Sequence, residues 1–474
     1  MDPEYKSRKE AFVSNLTGGS ILEINAVTLV APASVFLWSV LQSRLSFFTS
    51  YGPAALITDF LLNVLAILFA TTFYSFAPWL LNVLLISPAL IVLLNSRPRR
   101  TQTKAKPPQT AAAQHGSGAS LPIHPFLTTY RAAMMIITCI AILAVDFHIF
   151  PRRFAKAENW GTSLMDLGVG SFVFSGGVVS ARSVLKSQEG GASPKKTLAQ
   201  RFVSSIRHSV PLLVLGMVRL YSVKNLDYAE HVTEYGVHWN FFFTLGFLPP
   251  FLEIFEGLAT LIPSYELLSL AVAVLYQIAL ESTDLKSYIL VSPRGPDLLS
   301  KNREGVFSFL GYLAIFLAGR ATGMRIIPSG ISPSTTPQQA RKRVLTRYGA
   351  NIPVSRRLAN MPYVLWVAAF NNAQLFLFCL IETILFPSVH RASGSGKNEE
   401  AKRIAFATSP IMKAYNSGGL AVFLIANLLT GAVNLAVPTL DMGNAQAMAI
   451  LVGYAALITG VALGLDKANI RISL

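Results

Sequence analysis

About twelve times along the chain, a run of roughly 20 residues is almost wholly apolar, the length a helix needs to cross the hydrocarbon core of a bilayer. The runs cover 21–41, 53–74, 76–94, 129–147, 167–185 and 209–223, then 241–262, 267–280, 306–324, 361–386, 419–437 and 445–465. Their apolar residues are continuous rather than alternating, which selects helices over the strands of a membrane barrel. Inside lipid each helix satisfies its own backbone N–H and C=O groups. The expected fold is therefore all-α, a polytopic transmembrane helix bundle of about 12–13 spans, the thirteenth arising near 287–291 or from a split run. Only 14% of residues are charged, against roughly 25% in soluble domains, so an ordinary soluble globule is excluded. No internal repeat is visible, and residues 1–474 read as one integral-membrane domain. Within it, 95–125 is a low-complexity stretch expected to be a disordered cytosolic loop.

The net charge of +16 would suggest nucleic acid in a soluble protein. Here the positive charge collects in linkers, and no basic helix carries interleaved aromatics, so topology explains it and no nucleic-acid partner is expected. Three linkers fall on one side by span counting: Arg97, Arg99, Arg100, Lys104 and Lys106; Lys186, Lys195, Lys196, Arg201 and Arg207; Arg341, Lys342, Arg343, Arg347, Arg356 and Arg357. The positive-inside rule makes that side cytosolic and puts segments 1–20, 148–166 and 224–240 opposite. Cys139 and Cys379 both lie in apolar runs, with no disulfide framework and no metal spacing.

Ionisable groups within spans carry the sharpest functional signal, because each costs several kcal/mol in hydrocarbon unless paired or wet. They are Glu23, Asp59, Arg131, Asp146, Arg219, Glu253, Glu256, Arg320 and Glu382. Glu253 and Glu256 share a helical face after Pro249-Pro250, either as paired acids or as ion-pair partners of Arg219 or Arg320. Asp146 stands apart. It ends an apolar run at the non-cytosolic boundary, and a carboxylate half out of water at the negative end of a helix suits a general base. Ten residues of unbroken helix would put Lys156 about 15 Å away, but Pro151 interrupts the helix and lets Arg152–Lys156 turn back. An Asp base beside a Lys cation can activate a hydroxyl and stabilise an oxyanion; the plainer reading is a surface salt bridge. His148 is a second candidate base, and Cys139, two turns earlier on the same face, is either a nucleophile or a small hydrophobe. The run from Leu167 is rich in Gly168, Gly170, Ser171, Ser175, Gly176, Gly177 and Ser180, which permits close helix packing or leaves room for a lipid chain.

Several ordered blocks share one likeness: Ser14-Asn-Leu-Thr-Gly-Gly-Ser-Ile-Leu-Glu-Ile-Asn25, Asp146-Phe-His-Ile-Phe-Pro-Arg-Arg-Phe-Ala-Lys156, Gly161-Thr-Ser-Leu-Met-Asp-Leu-Gly168, Tyr235-Gly-Val-His-Trp-Asn240, Asn302-Arg-Glu-Gly305 with Gly311-Tyr-Leu-Ala-Ile315, and Ala426-Asn-Leu-Leu-Thr-Gly431. Together they resemble the fungal GPI-anchored wall transfer family, the inositol acyltransferases of GPI-anchor biosynthesis. The resemblance implies an endoplasmic reticulum membrane enzyme with about thirteen spans and lumenal shared loops. It implies transfer of a fatty acyl group, typically palmitoyl, from acyl-CoA to the inositol 2-hydroxyl of glucosaminyl-phosphatidylinositol. Acyl-CoA is then a co-substrate, no cofactor is tightly bound, and membrane lipids surround the enzyme. The family's catalytic pair carries over as Asp146 and Lys156. Substrate binding is expected of His148, Arg152, Arg153, Asn240 and Arg320, the arginines through phosphate. A lipid or solute transporter is the rival reading, with Pro249-Pro250 as its main hint.

Overall fold

A computed structural model describes residues 3–96, 121–189, 198–225, 232–258, 264–327, 352–389 and 397–470. Most of the expected disordered loop at 95–125 lies outside the described residues. Each of the twelve apolar runs is a helix: α1 Ile21–Leu45, α2 Pro53–Thr71, α3 Pro78–Asn95, α4 Pro125–Ala144, α5 Leu164–Ser187, α6 Leu198–Asn225, α7 Phe241–Leu258, α8 Tyr265–Ser282, α9 Arg303–Ile326, α10 Met361–Leu385, α11 Gly419–Ala436 and α12 Asn444–Lys467. Ten are long and apolar enough to cross a bilayer. A pair bent by 42° within α6 makes an eleventh, and α7 contributes a shorter apolar stretch, Phe241–Phe255. The chain is a multi-pass membrane protein. The candidate thirteenth span near 287–291 is instead a six-residue helix, Leu285–Leu290, far too short to cross.

Local chemistry starts the helices where they start. Proline stands in the first turn of α2, α3, α4 and α10, where a missing N–H costs nothing. Ser20 and Asn360 accept from the backbone N–H of Glu23 and Tyr363 at the heads of α1 and α10. Glycine brings α5 and α9 together: a Cβ at Gly177 of α5 would overlap the Phe316 carbonyl of α9, and one at Gly319 the Phe174 carbonyl in return. The packing role expected of the small-residue run is therefore present between α5 and α9.

The N-terminal segment is pinned to the loop between α4 and α5. Gly19 N–H donates to Thr162 O at 2.7 Å and Glu158 N–H to Leu16 O at 2.8 Å. Gly18 and Gly161 both have positive φ, +77° and +133°, and a Cβ on either would collide with the opposing backbone. The expected gathering of 1–20, 148–166 and 224–240 at one face is seen for their described residues. We call this the N-terminal face.

Strict alternation of spans fails once. α9 and α10 both begin at the N-terminal face, where Arg357 just before α10 pairs with Glu304 at the head of α9 at 3.1 Å. Asp466, near the end of α12, consequently lies at the face opposite residues 3–20. This corrects the placement of Arg356 and Arg357. They are not in the linker face to which span counting assigned them but buried at the N-terminal face, 5% and 7% exposed, because carboxylates there hold them.

Candidate active site

The chain after α4 folds into a compact turn. Phe147, Phe150 and Phe154 are fully buried and anchor it, and Pro151 leads into a single 3₁₀ turn, Arg152–Phe154. Arg152 buckles the turn: one terminal nitrogen, Nη2, donates to the carbonyls of Val145 at 2.8 Å, Phe147 at 3.1 Å and Phe150 at 2.8 Å. Its guanidinium lies 3.8 Å from the centre of the Phe12 ring. Burial pulls its pKa down to about 10, against the opposing charge of Asp146. Nε and Nη1 of Arg152 stay buried without a hydrogen bond. Arg153 is spent on Glu23 of α1 at 2.7 Å and on the Ser75 carbonyl.

The turn does bring Lys156 back, though to a different carboxylate from the one its spacing suggested. Lys156 Nζ is 2.6 Å from Glu234. Glu234 in turn contacts Arg356 at 3.3 Å, and Arg356 Nε reaches Asp166 at 2.5 Å. Asp166 also accepts from the Ala157 N–H and the Ser163 hydroxyl. The result is an alternating row, Lys156–Glu234–Arg356–Asp166, most of it out of water. Burial alone would lower the Arg356 pKa, but Glu234 and Asp166 outweigh it and hold the guanidinium charged, well above its usual range. A second branch joins Arg357 and Arg294 to Glu304, which is fully buried.

Beside this row is a cavity of about 260 Å³, just under the range of small-molecule pockets. Lys156, Glu234, Asn240 and Arg219 form its polar end, while residues of α4, α5 and α11, such as Ile142, Met165, Phe172 and Phe423, give an apolar wall. Gly168 of α5 and Thr138 of α4 face each other in its wall, where a Cβ on the glycine would make an ordinary contact with the Thr138 hydroxyl at 3.8 Å.

Asp146 sits beyond the cavity wall on the same seam between α4 and α11. Its Oδ2 accepts from Asn434 Nδ2 at 2.8 Å, and Asn434 Oδ1 accepts from Lys9 of the N-terminal helix. Ile142, one turn before Asp146, and Asn427, two turns before Asn434, both line the cavity. Asp146 and Lys156 are thus held by separate partners at the same face. Asn240 lines the cavity and caps α7, accepting from Phe242 N–H at 3.0 Å and donating to Gly216 O at 2.9 Å. His148 is exposed and set edge-on against Phe12. Arg320 is elsewhere: it bonds Ser180 at 3.0 Å, stacks over Tyr265, and lies about 25 Å along α9 from Arg303. The Cys139 carbonyl accepts from the Tyr454 hydroxyl at 2.9 Å, and Cys139 is absent from the cavity lining. Glu253 pairs with Arg201 at 3.7 Å, and the Glu256 side chain is outside the described residues. Glu234, Asp166, Arg356 and Asn434 were not singled out from sequence. Only Asp166 carried a signal there, as part of the block 161–168.

A multi-pass helical bundle that keeps an apolar cavity against a buried row of charges has the build of a membrane enzyme. Comparison with known proteins makes this specific. The GWT1 family profile matches residues 5–465. GPI-anchored wall transfer protein 1 of Emericella nidulans is 91% identical over 474 residues, covering all of both chains. The proteins of the same name from Aspergillus oryzae and Candida albicans are 71% and 40% identical, again over the whole of each chain. The chain belongs to the GWT1 family, the inositol acyltransferases of GPI-anchor assembly. The transporter reading gives way to that membership, and Pro249 and Pro250 lie inside the continuous helix α7 rather than at a break.

Proposed function

We propose that this chain moves a palmitoyl-like acyl group from acyl-CoA to the inositol 2-hydroxyl of glucosaminyl-phosphatidylinositol in the endoplasmic reticulum membrane, with Asp146 and Lys156 as the catalytic pair. The observation that carries the reading is the apolar cavity with Lys156 at its polar end and Asp146 just past its wall. The acyl chain occupies the apolar part. Asp146 takes the inositol hydroxyl proton as the oxygen attacks the thioester carbonyl. The tetrahedral oxyanion that forms faces the Lys156 ammonium, which Glu234 holds in place. Collapse breaks the C–S bond, and the CoA thiolate leaves with the proton that Asp146 carried, giving free CoA and acylated lipid. Asn434 orients Asp146. Lys186, Arg201 and Arg207 at the opposite face make that face cytosolic by the positive-inside rule, which turns the site to the lumen.

The test is purified full-length protein in lipid nanodiscs with labelled palmitoyl-CoA and glucosaminyl-phosphatidylinositol. Acylated lipid and free CoA should appear in equal amounts. Movement of either substrate without chemical change would overturn the reading.

A further inference from the structure

At the N-terminal face, Arg153 has Glu23, Arg294 and Arg357 have Glu304, and Arg356 has Asp166. In the opposite half of the bundle, two arginines that face each other's helices have no such carboxylate among the described residues. Arg131 of α4 donates Nε to the Ser175 hydroxyl at 3.3 Å, and Arg182 of α5 donates to the Pro122 carbonyl at 2.7 Å. Among the described residues neither meets a carboxylate, and Arg131 lies within reach of the Arg182 charge. Two like charges placed together among apolar helices are costly. A lone arginine at a helix end escapes by stretching to the headgroups. Arg131 is about 9 Å inside the start of α4 and is turned towards α5 instead.

The position of the pair gives the cost a purpose. Arg131 is two turns, about 10 Å, from Thr138 along one face of α4, and Ser175 is two turns from Gly168 along one face of α5. Thr138 and Gly168 are both in the cavity wall. A further two turns along α5 bring Arg182, beside Pro122 at the membrane face. The register of the two helices therefore sets Arg131 and Arg182 on the side of the cavity away from Lys156. Phosphate esters are the ligands that paired guanidinium groups hold best.

We infer that Arg131 and Arg182 form a phosphate-binding site that anchors the coenzyme A portion of the acyl donor as it enters from the face opposite Lys156. The inference rests on the acyl-transfer reading and adds to it where the donor is gripped. The same phosphate chemistry could be met by an acidic phospholipid headgroup, and the experiment separates the two sources.

Full-length wild type, Arg131→Gln, Arg182→Gln and the double variant are compared in nanodiscs. Three measurements are made: binding of CoA itself, turnover of palmitoyl-CoA, and turnover of a palmitoyl N-acetylcysteamine thioester, which has no phosphate. The double variant should bind CoA at least tenfold more weakly and raise KM for palmitoyl-CoA at least tenfold with kcat kept, while the phosphate-free donor reacts as with wild type. Its thermal unfolding midpoint should not fall, since an unpaired buried charge has gone, and Arg131→Lys should give an intermediate KM. Unchanged CoA binding and KM would overturn the inference. Equal losses on both donors, appearing only in nanodiscs with anionic lipid, would assign the site to a headgroup and overturn it too. Loss of fold in the glutamine variants, with Arg131→Lys no better, would make the arginines structural and also overturn it. Wild type that binds CoA through these arginines but yields no acylated lipid would leave the phosphate site standing and defeat the acyl-transfer reading alone.

Discussion

Replacing Arg356 by Met removes the centre of the row that leads to Lys156. Arg356 is 4% exposed at its side chain and Asp166 is 0% exposed, so the change strands a carboxylate with no access to water. Breaking a buried ion pair by removing one partner costs about 3–5 kcal/mol. Two donors remain on Asp166, the Ser163 hydroxyl at 2.8 Å and the Ala157 N–H at 3.0 Å, which places the expected loss near the low end, about 3 kcal/mol. Asp166→Asn should cost a similar amount from the other side, leaving Arg356 the longer contact to Glu234 at 3.3 Å as its ion pair. In the double variant Arg356→Met with Asp166→Asn no charge is stranded, so the total should fall short of the sum of the two singles by about 2 kcal/mol. Equilibrium unfolding of the four proteins in one detergent measures these differences. Acylated-lipid formation by the folded fraction measures the effect on Lys156, whose partner Glu234 has lost its second cation. Single variants within about 0.5 kcal/mol of wild type, or a double variant as damaged as the two singles added together, would refute the reasoning.

Three other perturbations have readable outcomes. Asn434→Leu removes the amide donor on Asp146 and should lower kcat roughly tenfold, the rate equivalent of one hydrogen bond to a charged group, with KM for acyl-CoA unchanged in steady-state kinetics. Gly168→Val pushes a branched side chain towards Thr138 and into the cavity, so competition between donors of different length should shift towards shorter acyl chains. Gly177→Ala drives a methyl into the Phe316 carbonyl and should destabilise the protein by about 1–3 kcal/mol. Gly176→Ala, whose Cβ would meet only a Phe316 ring carbon at 3.4 Å, should be nearly neutral in the same unfolding assay.

All twelve apolar helices were legible in the sequence, because hydrocarbon imposes a length and a continuous apolar face that composition alone reveals. The turn after Pro151 was legible for a similarly local reason. What failed was anything decided by a distant partner. Arg356 and Arg357 read as linker charges until Asp166, Glu234 and Glu304 are seen to bury them. Nothing local reveals that Glu234, 78 residues on from Lys156, takes its ammonium. Arg152 looked like a free phosphate ligand, whereas most of its work is to tie three carbonyls of its own loop. Arg320 suited a binding role by burial alone, and only the length of α9 shows that it lies far from Lys156.

The account stands most directly on Asp146 as the group that deprotonates the acceptor. Purified Asp146→Asn protein, confirmed folded by its unfolding midpoint and by CoA binding equal to wild type, should lose roughly a hundredfold or more of kcat for inositol acylation. Turnover within about threefold of wild type, well below the span of general-base effects, would contradict it.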